Sequence, residues 1–182
     1  SNTIPLNIVT SINQYSELNS NELVKTESYK YTDATFHNQL GFLGFKQLEK
    51  KVDNFYNIFE NEFSAPDFGP FIAEQTSKYK TEVLKTVLNT KAYKSADVNG
   101  SDSYFIYTSS SQNTDELNDN TVSTAYTYDN SCNLTKAKTT YENGSYKEIN
   151  YSQYFADGSY KPGRIETIQK HADETSTFSS IS

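Results

Sequence analysis

Apolar and polar positions alternate along this chain in short runs, and turn-forming residues separate the runs. Residues 4–12 alternate in part, as a half-buried strand does, and a polar turn follows at 13–21. Residues 22–31 carry the β-branched and aromatic content of a second strand. In 45–63, Phe45, Leu48, Val52, Phe55, Tyr56, Ile58, Phe59 and Phe63 are compatible with a helix in part, but strands on both sides favour an antiparallel continuation. Two prolines and a glycine make 64–70 a loop. Residues 71–94 read two ways. Val83, Leu84, Val87 and Leu88 have helical spacing, whereas the run of Thr, Val and Tyr between Tyr79 and Tyr93 favours strands, the reading preferred here.

Asn99-Gly100 is a hairpin signal, and Tyr104 to Tyr107 is a short strand. Residues 109–120 offer almost nothing to bury and are predicted to be a flexible loop. The last third has the clearest pattern. Strands are expected at 121–128, 134–141 and 146–154, with turns at 129–133, at Asn143-Gly144 (type I′) and at Asp157-Gly158. Residues 169–182 are Ser/Thr-rich and expected to be a weakly ordered tail. The predicted fold class is all-β, an antiparallel β-hairpin meander forming a single β-rich segment over 3–182. Ser1-Asn2 look like a cloning remnant and are set aside.

Composition bears on the core. Hydrophobic residues make up only 35% of the chain, and the apolar surface is dominated by 15 Tyr and 11 Phe, so a thin sheet with half-buried rings is expected in place of a deep aliphatic core. A net charge of -7 and a single arginine, Arg164, argue against nucleic acid as a partner. No apolar run is long enough to span a bilayer. The lone Cys132 has no partner for an internal disulfide.

The segment Tyr128-Asp129-Asn130-Ser131-Cys132-Asn133-Leu134 resembles the YD repeat, Y-D-x-x-G-N-L. In that repeat Tyr ends a strand, Asp caps a tight turn, Gly takes a left-handed conformation, and Asn-Leu opens the return strand. Here Cys132 stands in the glycine slot. It either accepts the left-handed angle, at a cost of ~1–2 kcal/mol, or the turn differs. Upstream, Gly41-Phe42-Leu43-Gly44-Phe45, preceded by an aromatic strand, is similar to a pattern of Rhs proteins and toxin-complex B components. The likeness is spread over most of 4–168 and marks Gly41, Phe42, Leu43, Gly44, Phe45, Tyr128, Asp129, Asn133 and Leu134 as structural motif residues.

The resemblance implies an open, curved sheet cut from a larger shell. It implies a non-catalytic, structural role at the cell surface or in a secreted protein, with neighbouring β-hairpins of the parent polypeptide as partners. No cofactor and no catalytic residue follow from it. The competing expectation is an adhesin or carbohydrate-binding module whose exposed tyrosines take a surface glycan or a protein partner. Other chemistry is weakly indicated. His37 and His171 have no nucleophile and orienting carboxylate in pattern, and Cys132 has no nearby base. Asp97, Asp102, Asp115, Glu116 and Asp119 lack the regular spacing of a calcium loop.

Overall fold

The computed structural model describes residues 8–16, 22–98, 101–130, 132–151, 164–171 and 174–181. All regular structure among them is β, in twelve strands. The chain, read above as one segment, gathers into two compact units: Ser1–Ser64 with Phe68–Leu84, and Ala65–Asp67 with Lys85–Ser182.

The first unit holds β1 (Ser11–Tyr15), β2 (Leu23–His37), β3 (Gly41–Val52), β4 (Phe55–Glu62) and β5 (Phe71–Tyr79), each antiparallel to the next. β6 (Glu82–Val98) begins in this unit and continues into the second, which adds β7 (Ser101–Asp115), β8 (Asn120–Tyr128), β9 (Leu134–Tyr141), β10 (Tyr146–Tyr151), β11 (Arg164–His171) and β12 (Glu174–Ile181). There too each strand pairs with its chain neighbour, so the architecture is an open antiparallel meander. The strands over 71–94 settle that ambiguity in favour of β structure.

Register sorts the side chains onto faces, because partners directly opposite point the same way. In the first unit, one face carries the rows Glu27–Val52–Phe55–Tyr79 and Tyr31–Leu48–Phe59–Gln75. The other carries Ser28–Lys51–Tyr56–Lys78 and Thr32–Gln47–Glu60–Glu74. In the second unit the rows are mostly hydroxyls and amides, as in Leu88–Gln112–Ser123–Thr140–Tyr146 and Asn89–Ser111–Thr124–Thr139–Lys147. Among the described residues only Phe71, at 9% exposure, and Ser145, at 7%, count as buried, and no side chain is fully enclosed. The thin, half-buried aromatic sheet expected from composition is what the chain forms.

Several expectations are corrected. The predicted turn at 13–21 begins later, because Asn13 and Gln14 pair with Thr26 and Lys25 in β1, and the Asn13 side chain accepts a hydrogen bond from Thr26 Oγ1 at 3.0 Å. Residues 109–115 belong to β7, and only 116–119 form a turn. Their polar side chains find cross-strand partners on both flanks, as in Thr114 Oγ1 with Thr121 Oγ1 at 3.1 Å, so they stay in the sheet without burial. The tail forms β12, with backbone pairing to β11 replacing the missing hydrophobic pattern. The Asn143-Gly144 turn is not type I′. Only Gly144 is left-handed (φ 77°), Gly144 N donates to Tyr141 O at 2.9 Å and Tyr141 N to Ser145 O at 2.9 Å, a three-residue loop with a bulge. Asn99-Gly100 and Asp157-Gly158 lie outside the described residues, although Val98 and Ser101 pair directly.

Candidate functional site

Gly41, at φ 81°, begins β3 directly after the 38–40 turn. His37 closes that turn: its Nδ1 accepts from Gln39 N and Leu40 N, both at 3.3 Å, and its ring lies 4.5 Å from Phe68. The histidine is thus a turn cap with an aromatic neighbour. Thr35 pairs with Gly44 and Phe36 with Phe42, so Leu43 is an extra residue on β3. Gly44, at φ 142°, makes that bulge, and a Cβ on it would sit 3.0 Å from the Phe63 ring. In a regular strand residues three apart face opposite ways. The bulge instead brings the rings of Phe42 and Phe45 to 5.3 Å, and Phe36 and Tyr31 extend the cluster at 5.4 and 5.0 Å. Each such ring pair contributes about 0.5–1.5 kcal/mol beyond area burial.

The second motif is a capped turn. Tyr128 ends β8 and Leu134 opens β9 opposite it. The Asp129 carboxylate accepts from Asn133 N at 2.9 Å and from its Nδ2 at 3.1 Å. Cys132 takes the left-handed slot at φ 67°. Cys132 N donates to Asp129 O at 3.2 Å and Asp129 N to Asn133 O at 3.0 Å, the same two bonds, at the same spacing, that close the 141–145 turn around Gly144. Of the two alternatives left open for Cys132, the structure takes the strained one. Lys94, directly opposite Phe105 on the neighbouring strands, donates Nζ to Tyr128 O at 2.8 Å and to Asp129 O. Tyr128 packs on Tyr107 at 4.5 Å and Phe105 at 5.9 Å. Burial there raises its phenol pKa, with Tyr126 and Tyr107 adding to the effect.

A third constellation was not foreseen. Glu27 accepts from Lys25 at 2.7 Å, Lys50 at 2.8 Å and the Tyr29 hydroxyl at 2.8 Å. The Lys25 hydrogen bond, followed by those of Lys50 and Tyr29, lowers the Glu27 pKa from 4.5 to about 2. The i, i+2 spacing of Lys25, Glu27 and Tyr29 was the available signal, since it sets them on one face of a strand. Lys51 lies over the Tyr56 ring at 5.3 Å and Lys138 over Tyr146 at 4.3 Å.

The remaining candidates do not converge. Asp115 caps its own turn through Leu117 N at 3.0 Å and Asn118 Nδ2 at 2.7 Å. Among the described residues no group of three His, Cys, Asp or Glu gathers around a common point. The side chains of His171, Asp97 and Asp102 lie outside the described set. A concavity of about 510 Å³ is lined by Asn120, Tyr141, Glu142, Asn143, Ser145, Tyr146 and Lys147. A second, about 440 Å³, lies between Tyr93, Lys94, Ser95, Asn130 and Cys132. No helix among the described residues is long and apolar enough to cross a membrane. The chain matches no family model, no curated protein and no solved structure.

Proposed function

We propose that this chain is a non-catalytic structural segment of an Rhs/YD-repeat type protein, contributing β-hairpins to a shell or scaffold at the cell surface or in a secreted protein. The observation that carries this reading is the 129–133 turn. Asp129 caps it, Asn133 is tied back to Asp129, and Cys132 holds a left-handed angle that costs most residues ~1–2 kcal/mol. A turn that keeps this conformation without its glycine is held by the surrounding hairpin geometry.

The thinness of the sheet supports the same role. A meander in which, among the described residues, only Phe71 and Ser145 are buried draws little stability from a core of its own and gains from strands added at its edges. The aromatic ladders brace such a wall across its strands. His37 serves a turn, its Nδ1 accepting from Gln39 N and Leu40 N.

Size-exclusion chromatography with light scattering over a wide concentration range tests this. A wall segment associates as concentration rises, and the association diminishes when flanking hairpins of the parent polypeptide are restored. A chain that stays strictly monomeric at high concentration and unfolds in one sharp transition overturns the reading.

A further inference from the structure

We infer that the concavity at the β9–β10 hairpin is a subsite for one sugar residue, independent of the shell reading. Tyr141 and Lys147 share a face, because Lys147 pairs with Thr139, two positions before Tyr141. Asn120 joins them, two positions before Val122, the partner of Tyr141. Together with Glu142, Asn143, Ser145 and Tyr146 they line a solvent-open concavity of about 510 Å³, within the size range of small-ligand sites.

The lining suits a hydroxylated ring. Tyr141 is 40% exposed, leaving an aromatic surface for the C–H face of a pyranose. Glu142 is held in place, its Oε1 accepting Thr121 N at 3.3 Å, which leaves Oε2 to accept from sugar hydroxyls. Asn143 is held as well: its Oδ1 accepts from Ser145 N at 3.0 Å and from Ser145 Oγ at 2.6 Å, so its NH₂ group remains to donate. Ser145, one of the two buried residues among those described, forms the floor of this arrangement. The Asn120 amide, the Tyr141 phenol and the Lys147 ammonium have no protein partner among the described residues. An acceptor carboxylate, amide donors and an ammonium beside an aromatic ring match the alternating donors and acceptors of a sugar better than an apolar or highly charged ligand.

The test is an amide NMR titration of the full chain with galactose, mannose and N-acetylglucosamine as separate probes. At least one probe should shift the amides of Asn120 and 141–147 with a dissociation constant in the millimolar range, while those lining the Leu88, Thr90 and Gln112 concavity stay still. Tyr141→Ala should weaken binding about tenfold, and Glu142→Gln should weaken it for the same probe, with distant amides unchanged to show that the sheet is intact. If no probe moves these amides, if shifts spread evenly over the sheet, or if both variants bind as well as the parent, the subsite is overturned. The association state, which tests the shell role, is a separate readout.

Discussion

Asp129 holds Asn133 twice, through the backbone N–H at 2.9 Å and through the side-chain amide at 3.1 Å. This clamp closes the hairpin between Tyr128 and Leu134 and brings Cys132 into its left-handed slot. Removing the carboxylate leaves two donors to find water. Asp129→Ala should therefore destabilise the chain by about 1–2 kcal/mol, read from urea unfolding, with Asp129→Asn intermediate.

Cys132→Gly should act in the opposite direction. The φ of 67° costs an ordinary residue ~1–2 kcal/mol that glycine does not incur, and the extra freedom of glycine in the unfolded chain returns about 0.5–1. A net gain of about 0.5–1 kcal/mol is expected in the same urea measurement. Gly144→Ala in the matching turn should lose a similar amount, since its φ is 77° and nothing lies within 4 Å of the added methyl.

Lys94 connects this turn to a strand two removed from it in the sheet. Its Nζ bonds the carbonyls of Tyr128 and Asp129, and its side chain leaves the same face of the sheet as that of Phe105. Lys94→Met keeps the stem and removes the donors. Hydrogen exchange at Cys132 and Asn133 should accelerate, while amides in the first unit keep their protection.

What could be read from the sequence follows from where its signals are local. The hairpins over 121–151 pair period-two alternation with Asp, Asn and Gly at the turns, and both signals lie within a few residues. The Asp129 cap is legible for the same reason. Residues 109–115 carry no strand signal of their own, because Ser110, Ser111 and Asn113 show no alternation, and their place in β7 depends on Thr90, Asn89 and Val87 across one ladder and Ala125, Thr124 and Val122 across the other. The role of Lys94 was hidden because its partners lie 34 and 35 residues away. Gly41 and Gly44 flagged a special backbone, but that Leu43 is the bulged residue, placing Phe42 and Phe45 on one face, depends on the register with β2.

That bulge gives a graded pair of variants. Gly41→Ala meets only backbone strain, with open space around the added methyl, and should cost about 1 kcal/mol. Gly44→Ala meets strain at φ 142° and the Phe63 ring at 3.0 Å, and should cost about 2–4 kcal/mol. Phe63→Ala in the Gly44→Ala background should recover the steric part alone. Additive losses in that double-mutant cycle would show that Phe63 does not press on the bulge.

Glu27 makes stability depend on pH in a defined window. Lys25, then Lys50 and Tyr29, favour its charged form and lower its folded pKa to about 2, against an ordinary value of 4.5. A depressed folded pKa means that the unfolded chain binds the proton first. The contribution of Glu27 is therefore fully present above about 4.5 and is lost as pH falls toward 2. Asp115, lowered chiefly by the Asn118 amide, adds a loss of the same sign. Urea midpoints should thus fall through this window in the parent chain and fall less in Glu27→Gln. Added salt should shrink the difference, because the ammonium groups of Lys25 and Lys50 lie at the solvent surface, where ions screen them. Equal pH profiles for the two chains would mean that the Lys25–Glu27–Lys50 bridge adds nothing to the fold.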